Sequence, residues 1–411
     1  MTMEYRDQTL YLEDVPLADI AKRHSTPCYV YSSARILGKF CAYENAFGAL
    51  PHQIFYAVKA NGNLGILKLL ADAGAGFDIV SGGELFRVLK SGGDPQKVIF
   101  SGVGKTAAEL DYALDKNIRG FNCESEPELA LIDSLAARRG VKARIALRVN
   151  PDVDASTHPY ISTGLRKHKF GIDISEAEAV YGRARAFENL VLEGVSCHIG
   201  SQILDIQPML EVFDKMLALT ERLRAQGHPI RSLDLGGGLG VPYHAGESAP
   251  SIADYIRAMC QRSAGHDLEI LIEPGRSMVA EAGLLLTRVL YRKSNGDKQF
   301  VIVDAGMNDL IRPALYQSHH QIVPLRASDN ATIVADVVGP VCESGDFLAR
   351  DREMPNVLPG DLLAVLTVGA YGFVAASNYN ARPRPPEILV EGDRHRVIRK
   401  RESYEDLIRG E

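Results

Sequence analysis

The chain has 411 residues, 46% of them hydrophobic and 24% charged, with a formal net charge of −6 and no tryptophan. A chain of this length exceeds one ordinary hydrophobic core, so two domains are expected. The mild negative charge gives no reason to expect nucleic acid as a partner, and no apolar run approaches the length of a membrane span.

Residues 1–27 are short and polar, with an alternating patch at Leu10–Tyr11–Leu12 that reads as a strand lent to another part of the fold. The N-terminus, MTMEYRDQTLYLEDV, lacks the apolar core of a signal peptide. The cysteines (Cys28, Cys41, Cys123, Cys197, Cys260 and Cys342) form no CxxC and no close pair, so a reducing cytoplasm is expected. From Pro27 a rhythm begins. Apolar strand-like runs fall at Ile54–Val58, Phe77–Val80, Val98–Phe100, Gly120–Cys123, Arg144–Val149, Val191–His198, Ser232–Leu235 and Glu269–Ile272, with helix-like stretches between them.

The helix starts carry their own signature. Ser81 with Glu84, Thr106 with Glu109, Ser125 with Glu128, and Ser175 with Glu178 all fit the S/T-x-x-E capping box. The segment Pro208–Gln226 places Met209, Val212, Met216, Leu219 and Leu223 on one stripe and stops at Gly227. Repeated βα units of this kind, eight over roughly 250 residues, point to a (β/α)8 barrel. An open doubly wound sheet is the alternative. The polar stretch 150–171, with Pro151, His158 and Pro159, is a candidate lid.

After about Ala282 the helical periodicity fades. Strand runs follow at Leu284–Leu290, Phe300–Val303, Thr332–Val338, Leu362–Val368 and Glu387–Val390, with turn signals at Asn295–Gly296 and Gly392–Asp393. This part reads as a mostly antiparallel β domain completed by the N-terminal strand. The expected division is residues 28–277 as the barrel and residues 1–27 with 278–411 as the β domain.

The chemistry-bearing residues sit where barrels build their sites. In PHQIFYAVKAN a buried strand delivers Lys59 at its C-terminal end. A lysine there is either a snorkelling surface residue or a desolvated amine able to form a Schiff base with a carbonyl substrate or with pyridoxal phosphate. The sixth strand run ends in SCHIGSQ, where His198 could stack on a cofactor ring and Ser201 could offer a hydroxyl to a phosphate. The seventh ends in DLGGGLG and the eighth in EPGRS. Loops after strands seven and eight are a common phosphate site in barrels, and the glycines let backbone N–H groups approach an anion. In the β domain, GPVCESGD sets Cys342 beside Glu343, GAYGF holds Tyr371 between glycines, and NDLIRPALY spaces Arg312 and Tyr316 one helical turn apart. Taken singly, these could be a turn with a buried thiol and a surface pair.

Taken in order, YAVKAN, FDIVSGGE, HIGSQ, DLGGGLG, EPGRS, RPALY, CESGD and GAYGF resemble the diaminopimelate decarboxylases, pyridoxal-phosphate enzymes of the alanine-racemase-like barrel group (fold type III). The resemblance runs from about Pro27 to Arg401. Ornithine and arginine decarboxylases share the lysine, histidine and glycine motifs, whereas CESGD and RPALY look more like the diaminopimelate branch.

The resemblance implies the following roles. Lys59 holds the cofactor. Glu273 faces its pyridine nitrogen, and His198 stacks on its ring. Ser201, Gly238 and the Pro274–Gly275–Arg276 turn hold its phosphate side, and Tyr371 reaches it from the β domain. Cys342 supplies the proton that replaces carbon dioxide. Arg276, Arg312 and Tyr316 bind the distal carboxylate of the substrate, and Glu343 binds its distal ammonium. Cys342, Glu343 and Tyr371 come from a partner subunit, which makes the enzyme a homodimer with shared sites. The competing readings are a decarboxylase of ornithine, lysine or arginine, a catalytically silent homologue that merely holds pyridoxal phosphate, and a cofactor-free Schiff-base aldolase. The last leaves the phosphate cradle and Cys342 without a task.

Overall fold

The computed structural model describes residues 3–153, 169–327 and 331–411. Residues 154–168, most of the candidate lid, lie outside the described residues. The chain divides into two compact units, one comprising residues 39–241 and 248–277 and the other residues 1–38, 242–247 and 278–411.

In the first unit eight parallel strands follow one another: His52–Ala57, Gly76–Ile79, Val98–Phe100, Gly120–Cys123, Ala143–Asn150, Leu190–Ser196, Ser232–Asp234 and Glu269–Ile272. The eighth pairs with the first, Ile272 opposite Ile54, so the sheet closes on itself. That closure excludes the open doubly wound alternative. The strands are buried nearly throughout, as a parallel sheet covered by helices requires.

The helix starts follow the sequence with one exception. Thr106 and Glu109 form both halves of a capping box. Ser81 and Ser125 accept from the N–H of Glu84 and Glu128, while those glutamates accept from the N–H of Val80 and Glu124, one residue further back than a reciprocal box. Ser175 caps nothing. It is already inside helix Ile174–Ala184, whose cap is Asp173, and Glu178 instead pairs with Arg222. An aspartate two residues ahead of a serine competes for the same orphan N–H groups, and here it wins. The apolar stripe of Gln207–Ala225 is buried as expected, and Gly227 follows with φ +83°.

In the second unit the long strand Gly283–Asn295 pairs antiparallel with Lys298–Val303, Leu362–Val365 and Cys28–Ser32. Two pairings are parallel: Lys298–Val303 with Thr332–Val338, and Glu387–Glu391 with Cys28–Ser32. Two findings differ from the sequence expectation. Cys28–Ser32, which the expected division of 28–277 places with the barrel, is a fully buried strand of this second sheet. Its CYVYS pattern is the same continuous burial that marks a barrel strand, so composition could not separate the two. The N-terminal residues meet the second sheet at an antiparallel bridge, Thr9 opposite Arg326, with the Leu10 N–H donating to the Leu325 carbonyl at 2.8 Å, and not as a full strand of it. They form their own three strands, Met3–Arg6, Thr9–Leu12 and Val15–Pro16, with Leu10 and Leu12 packed into a core shared with Val30, Leu284, Leu286 and Ile388. Among the described residues, no helix is long and apolar enough to cross a membrane.

One buried carboxylate ties this N-terminal segment down. Glu13 Oε1 accepts from Ser32 Oγ at 2.6 Å and from the Ala34 N–H at 3.0 Å, and Oε2 accepts from the Gly392 N–H at 2.6 Å. Removing it leaves one buried donor, Ser32 Oγ, unpaired, at about 1–3 kcal/mol, while the exposed Ala34 and Gly392 N–H groups can turn to water. Glu13→Ala is therefore expected to lower the unfolding free energy by roughly 1–3 kcal/mol. Denaturant titration checks this, and a midpoint equal to that of the parent would contradict the anchoring role.

Candidate active site

All of the barrel residues singled out by sequence fall at the C-terminal ends of the strands, where barrel enzymes build their sites. Lys59 lies in the short turn Val58–Ala60 that ends the first strand. Its Nζ is 2.6 Å from Oδ2 of Asp78, which is fully buried on the second strand. The other oxygen, Oδ1, is buried without a hydrogen-bond partner among the described residues. A buried carboxylate oxygen left in this state is costly unless a ligand completes it.

Lys59, Ser101, Asn122, Arg148, His198 and Glu273 line one cavity. Inside it a single amide organises two acids. Asn122 Nδ2 donates to Asp234 Oδ2 at 2.9 Å and to Glu273 Oε1 at 3.0 Å, and Ser101 Oγ donates to the same Glu273 oxygen at 3.3 Å. Asp234 Oδ1 accepts from the Gly236 N–H at 2.9 Å. The two carboxyl groups thus meet at one amide, and the charge of Asp234 disfavours ionisation of Glu273. Burial, then the charges of Asp234 and Asp78, hold the Glu273 carboxyl well above its ordinary range. Burial raises Asp234 as well. Burial beside these acids thus favours the uncharged form of Glu273.

His198 is held in one protonation state. Its Nδ1 accepts from the Gly237 N–H at 3.2 Å, so that nitrogen carries no proton. Burial, then the charges of Arg148 and Lys59, push its pKa well below the usual value. The result is a flat neutral ring. Arg148 is fixed by Glu124 at 3.0 Å and lies over the Phe170 ring at 4.8 Å.

The glycine turn is a cradle that side chains would fill. A Cβ on Gly237 would stand 2.3 Å from the Glu273 carbonyl oxygen, and one on Gly238, at φ +123°, would stand 2.9 Å from that of Gly200. Beside it, Arg276 donates to Ser201 Oγ from Nε at 3.2 Å and from Nη2 at 3.0 Å, so the guanidinium and hydroxyl that would face an anion are already joined. Gly275 sits 3.1 Å, by the same measure, from the Cβ atoms of Ala57 and Ala60, which sets the Pro274–Gly275 turn tightly against the end of the first strand.

These residues fit pyridoxal phosphate. An amine stands ready for its aldehyde, and an acid for its ring nitrogen. A neutral ring can stack on it, an arginine–serine pair and a glycine turn suit its phosphate, and Asp78 Oδ1 awaits a partner. Asp78, Asn122 and Asp234 had not been assigned roles from sequence. The signal was a carboxylate or amide inside an otherwise apolar strand run, as in FDIV and FNC, where only a functional group justifies the burial.

The second unit carries the remaining residues. Arg312 and Tyr316 begin and end the helix Arg312–Tyr316, and Arg312 is buried. Cys342 and Glu343 are exposed in the single chain, and the Cys342 N–H donates to Asn380 Oδ1 at 2.9 Å. Tyr379 hydrogen-bonds Glu343, which raises the tyrosine pKa. Tyr371 is half-buried with φ 57°.

The family model described as pyridoxal-dependent decarboxylase, pyridoxal binding domain, matches residues 33–280. The sequence is 54% identical to the diaminopimelate decarboxylase of Pseudomonas aeruginosa, covering 100% of this chain and 98% of that protein. Among solved structures, diaminopimelate decarboxylase from Helicobacter pylori complexed with L-lysine superimposes with a TM-score of 0.92 at 46% identity, covering 96% of this chain and 98% of that one. The enzyme from M. jannaschii in co-complex with L-lysine gives 0.94 at 39% identity, covering 99% and 96%.

The state of His198 makes a pH prediction. Its folded pKa lies below the unfolded value of about 6.5, so the unfolded chain takes up a proton that the folded site refuses. Its contribution to stability is present above about pH 6.5 and declines as pH falls below that value. Ring 15N shifts should show His198 neutral, with Nδ1 unprotonated, from pH 8 down to about 6. Titration near its ordinary value would contradict the assignment.

Proposed function

The chain belongs to the diaminopimelate decarboxylases, and we propose that it uses pyridoxal phosphate to remove carbon dioxide from meso-2,6-diaminopimelate, releasing L-lysine in the last step of lysine biosynthesis. The observation that carries this reading is Lys59 paired with buried Asp78 at the end of the first strand, beside a cavity lined by Lys59, Glu273 and His198, in which Asn122 donates to Glu273 and the Gly237 N–H donates to His198 Nδ1.

When bound, pyridoxal phosphate supplies an electron sink for the pair left behind as the carbon–carboxylate bond breaks. The chain's own residues do the rest. Lys59, at the end of the first strand, would hold the cofactor through its amine. Asp78 keeps that amine oriented. Glu273, backed by Asp234 and Asn122, holds a proton at the ring nitrogen. His198 covers one face and, being neutral, adds no charge that would repel a protonated ring. Ser201, Gly238, Pro274, Gly275 and Arg276 would hold the phosphate side, with Tyr371 of the other chain of the proposed dimer. Cys342 delivers a proton to the carbon that lost carbon dioxide.

Selectivity follows from the other end of the substrate. Meso-diaminopimelate is decarboxylated at its D-centre, so its L-centre presents a carboxylate and an ammonium. Arg276, Arg312 and Tyr316 take the carboxylate, and Glu343 takes the ammonium. Ornithine, or lysine bound for reaction, has no distal carboxylate and would leave buried arginines unpaired. The free state of all six cysteines, three of them buried, supports a cytoplasmic setting.

We further propose a homodimer in which each site joins Lys59 of one chain to Cys342, Glu343 and Tyr371 of the other. Exposure of Cys342 and Glu343 on the single chain supports this arrangement.

Two outcomes are expected. Lys59→Ala should lose the visible absorption of covalently held cofactor and nearly all release of lysine from meso-diaminopimelate; a variant with both intact would place the reacting amine elsewhere. For the shared site, Lys59→Ala and Cys342→Ala, each nearly inactive alone, are dissociated together and allowed to exchange subunits. Half of the dimers should be mixed, each with one intact site, so activity should recover to roughly a quarter of the parent. No recovery despite confirmed exchange would rule out sharing.

A further inference from the structure

Arg312 is a long side chain with several rotatable bonds, yet its task demands one orientation. A guanidinium recognises a carboxylate through a planar fork, and a fork that must first be ordered binds less well than one already set. The chain folds back after the helix Arg312–Tyr316 through Gln317, at φ 53°, and brings Ser318 and His320 onto the arginine. Arg312 Nε donates to His320 Nε2 at 3.4 Å, and Nη2 donates to Ser318 Oγ at 3.3 Å. Bonds at both Nε and Nη2 fix the plane of the guanidinium. Tyr243 adds a wall: its ring lies 5.2 Å from the guanidinium carbon and meets the His320 ring edge-on at 5.3 Å.

The tautomer of His320 is dictated by its other side. The residue is fully buried, and its Nδ1 is 2.9 Å from the Leu366 carbonyl oxygen. A carbonyl can only accept, so Nδ1 carries the hydrogen. That leaves Nε2 as the acceptor which Arg312 needs. Only neutral His320 with its hydrogen on Nδ1 satisfies both neighbours.

We propose that His320 is a positioning residue, which holds the Arg312 fork in the plane that receives the distal carboxylate and so helps to set the preference for substrates that carry one. This rests on the assignment of Arg312 to that carboxylate.

The test uses the whole enzyme with cofactor. His320→Asn keeps an amide donor for Leu366 and loses the acceptor for Arg312. It should raise KM for meso-diaminopimelate roughly five- to tenfold, the loss of one long charge-assisted hydrogen bond, with kcat within about twofold. Inhibition by L-lysine, which retains the carboxylate, should weaken by a similar factor. Inhibition by 1,5-diaminopentane, which has none, should not change. His320→Gln, whose amide oxygen can reach the former Nε2 position, should restore most of the loss. Ser318→Ala, at a half-buried position that does not threaten folding, should act in the same direction and more weakly, so the inference stays testable even if the Asn variant misfolds. In an Arg312→Ala background, His320→Asn should add nothing. Unchanged kinetics for His320→Asn and Ser318→Ala, where Arg312→Ala is impaired, would overturn the positioning role. So would equal weakening of both inhibitors. Unchanged kinetics for Arg312→Ala itself would instead overturn the assignment of Arg312 to the carboxylate.

Discussion

Three carboxyl groups, Asp78, Asp234 and Glu273, are buried in one barrel mouth, and they cannot all be charged there without a counter-charge. The structure answers in two ways. Lys59 pairs with Asp78 at 2.6 Å, and the amide of Asn122 donates to both Asp234 and Glu273. Such an arrangement suits a ligand that brings an aldehyde to the lysine and a basic ring nitrogen to the acid. The closed sheet makes it possible. Strands one, two, four, seven and eight bring these groups to one end, and continuous apolar burial along the strands holds them rigidly.

On the proposed function, the second unit handles a different problem, which is telling one amino acid from another. Its relevant groups are not an acid cluster but an arginine held by Ser318, His320 and Tyr243, and a thiol–carboxylate pair flanked by Tyr379 and Asn380. The proposal thus assigns chemistry to the barrel and recognition to the β unit.

Much of this was legible in the chain. The barrel strands and most helix starts follow from apolar runs and capping residues, and Lys59 stands out because a lysine ends an apolar strand. Other parts were hidden for physical reasons. Cys28–Ser32 reads like a barrel strand because it is buried on both faces, although its partners are remote in sequence. Phe347–Pro355 and Arg394–Arg399 are strands whose charged faces mask their alternation. Ser175 matched a capping box, but Asp173 lay closer to the true helix start. In the site, Asp78, Asn122 and Asp234 support other residues, and no spacing rule shows which acids will meet at one amide. His320 was missed because its contact with Arg312 needs the turn at Gln317, which local pattern does not reveal.

The most direct test of the central claim is substrate selectivity of the purified enzyme with pyridoxal phosphate. Values of kcat/KM should be compared for meso-diaminopimelate, L-lysine and L-ornithine, with carbon dioxide release followed for each. A site that pairs buried arginines with a distal carboxylate should favour meso-diaminopimelate by about 10^4-fold. Comparable kcat/KM for ornithine or lysine would contradict it.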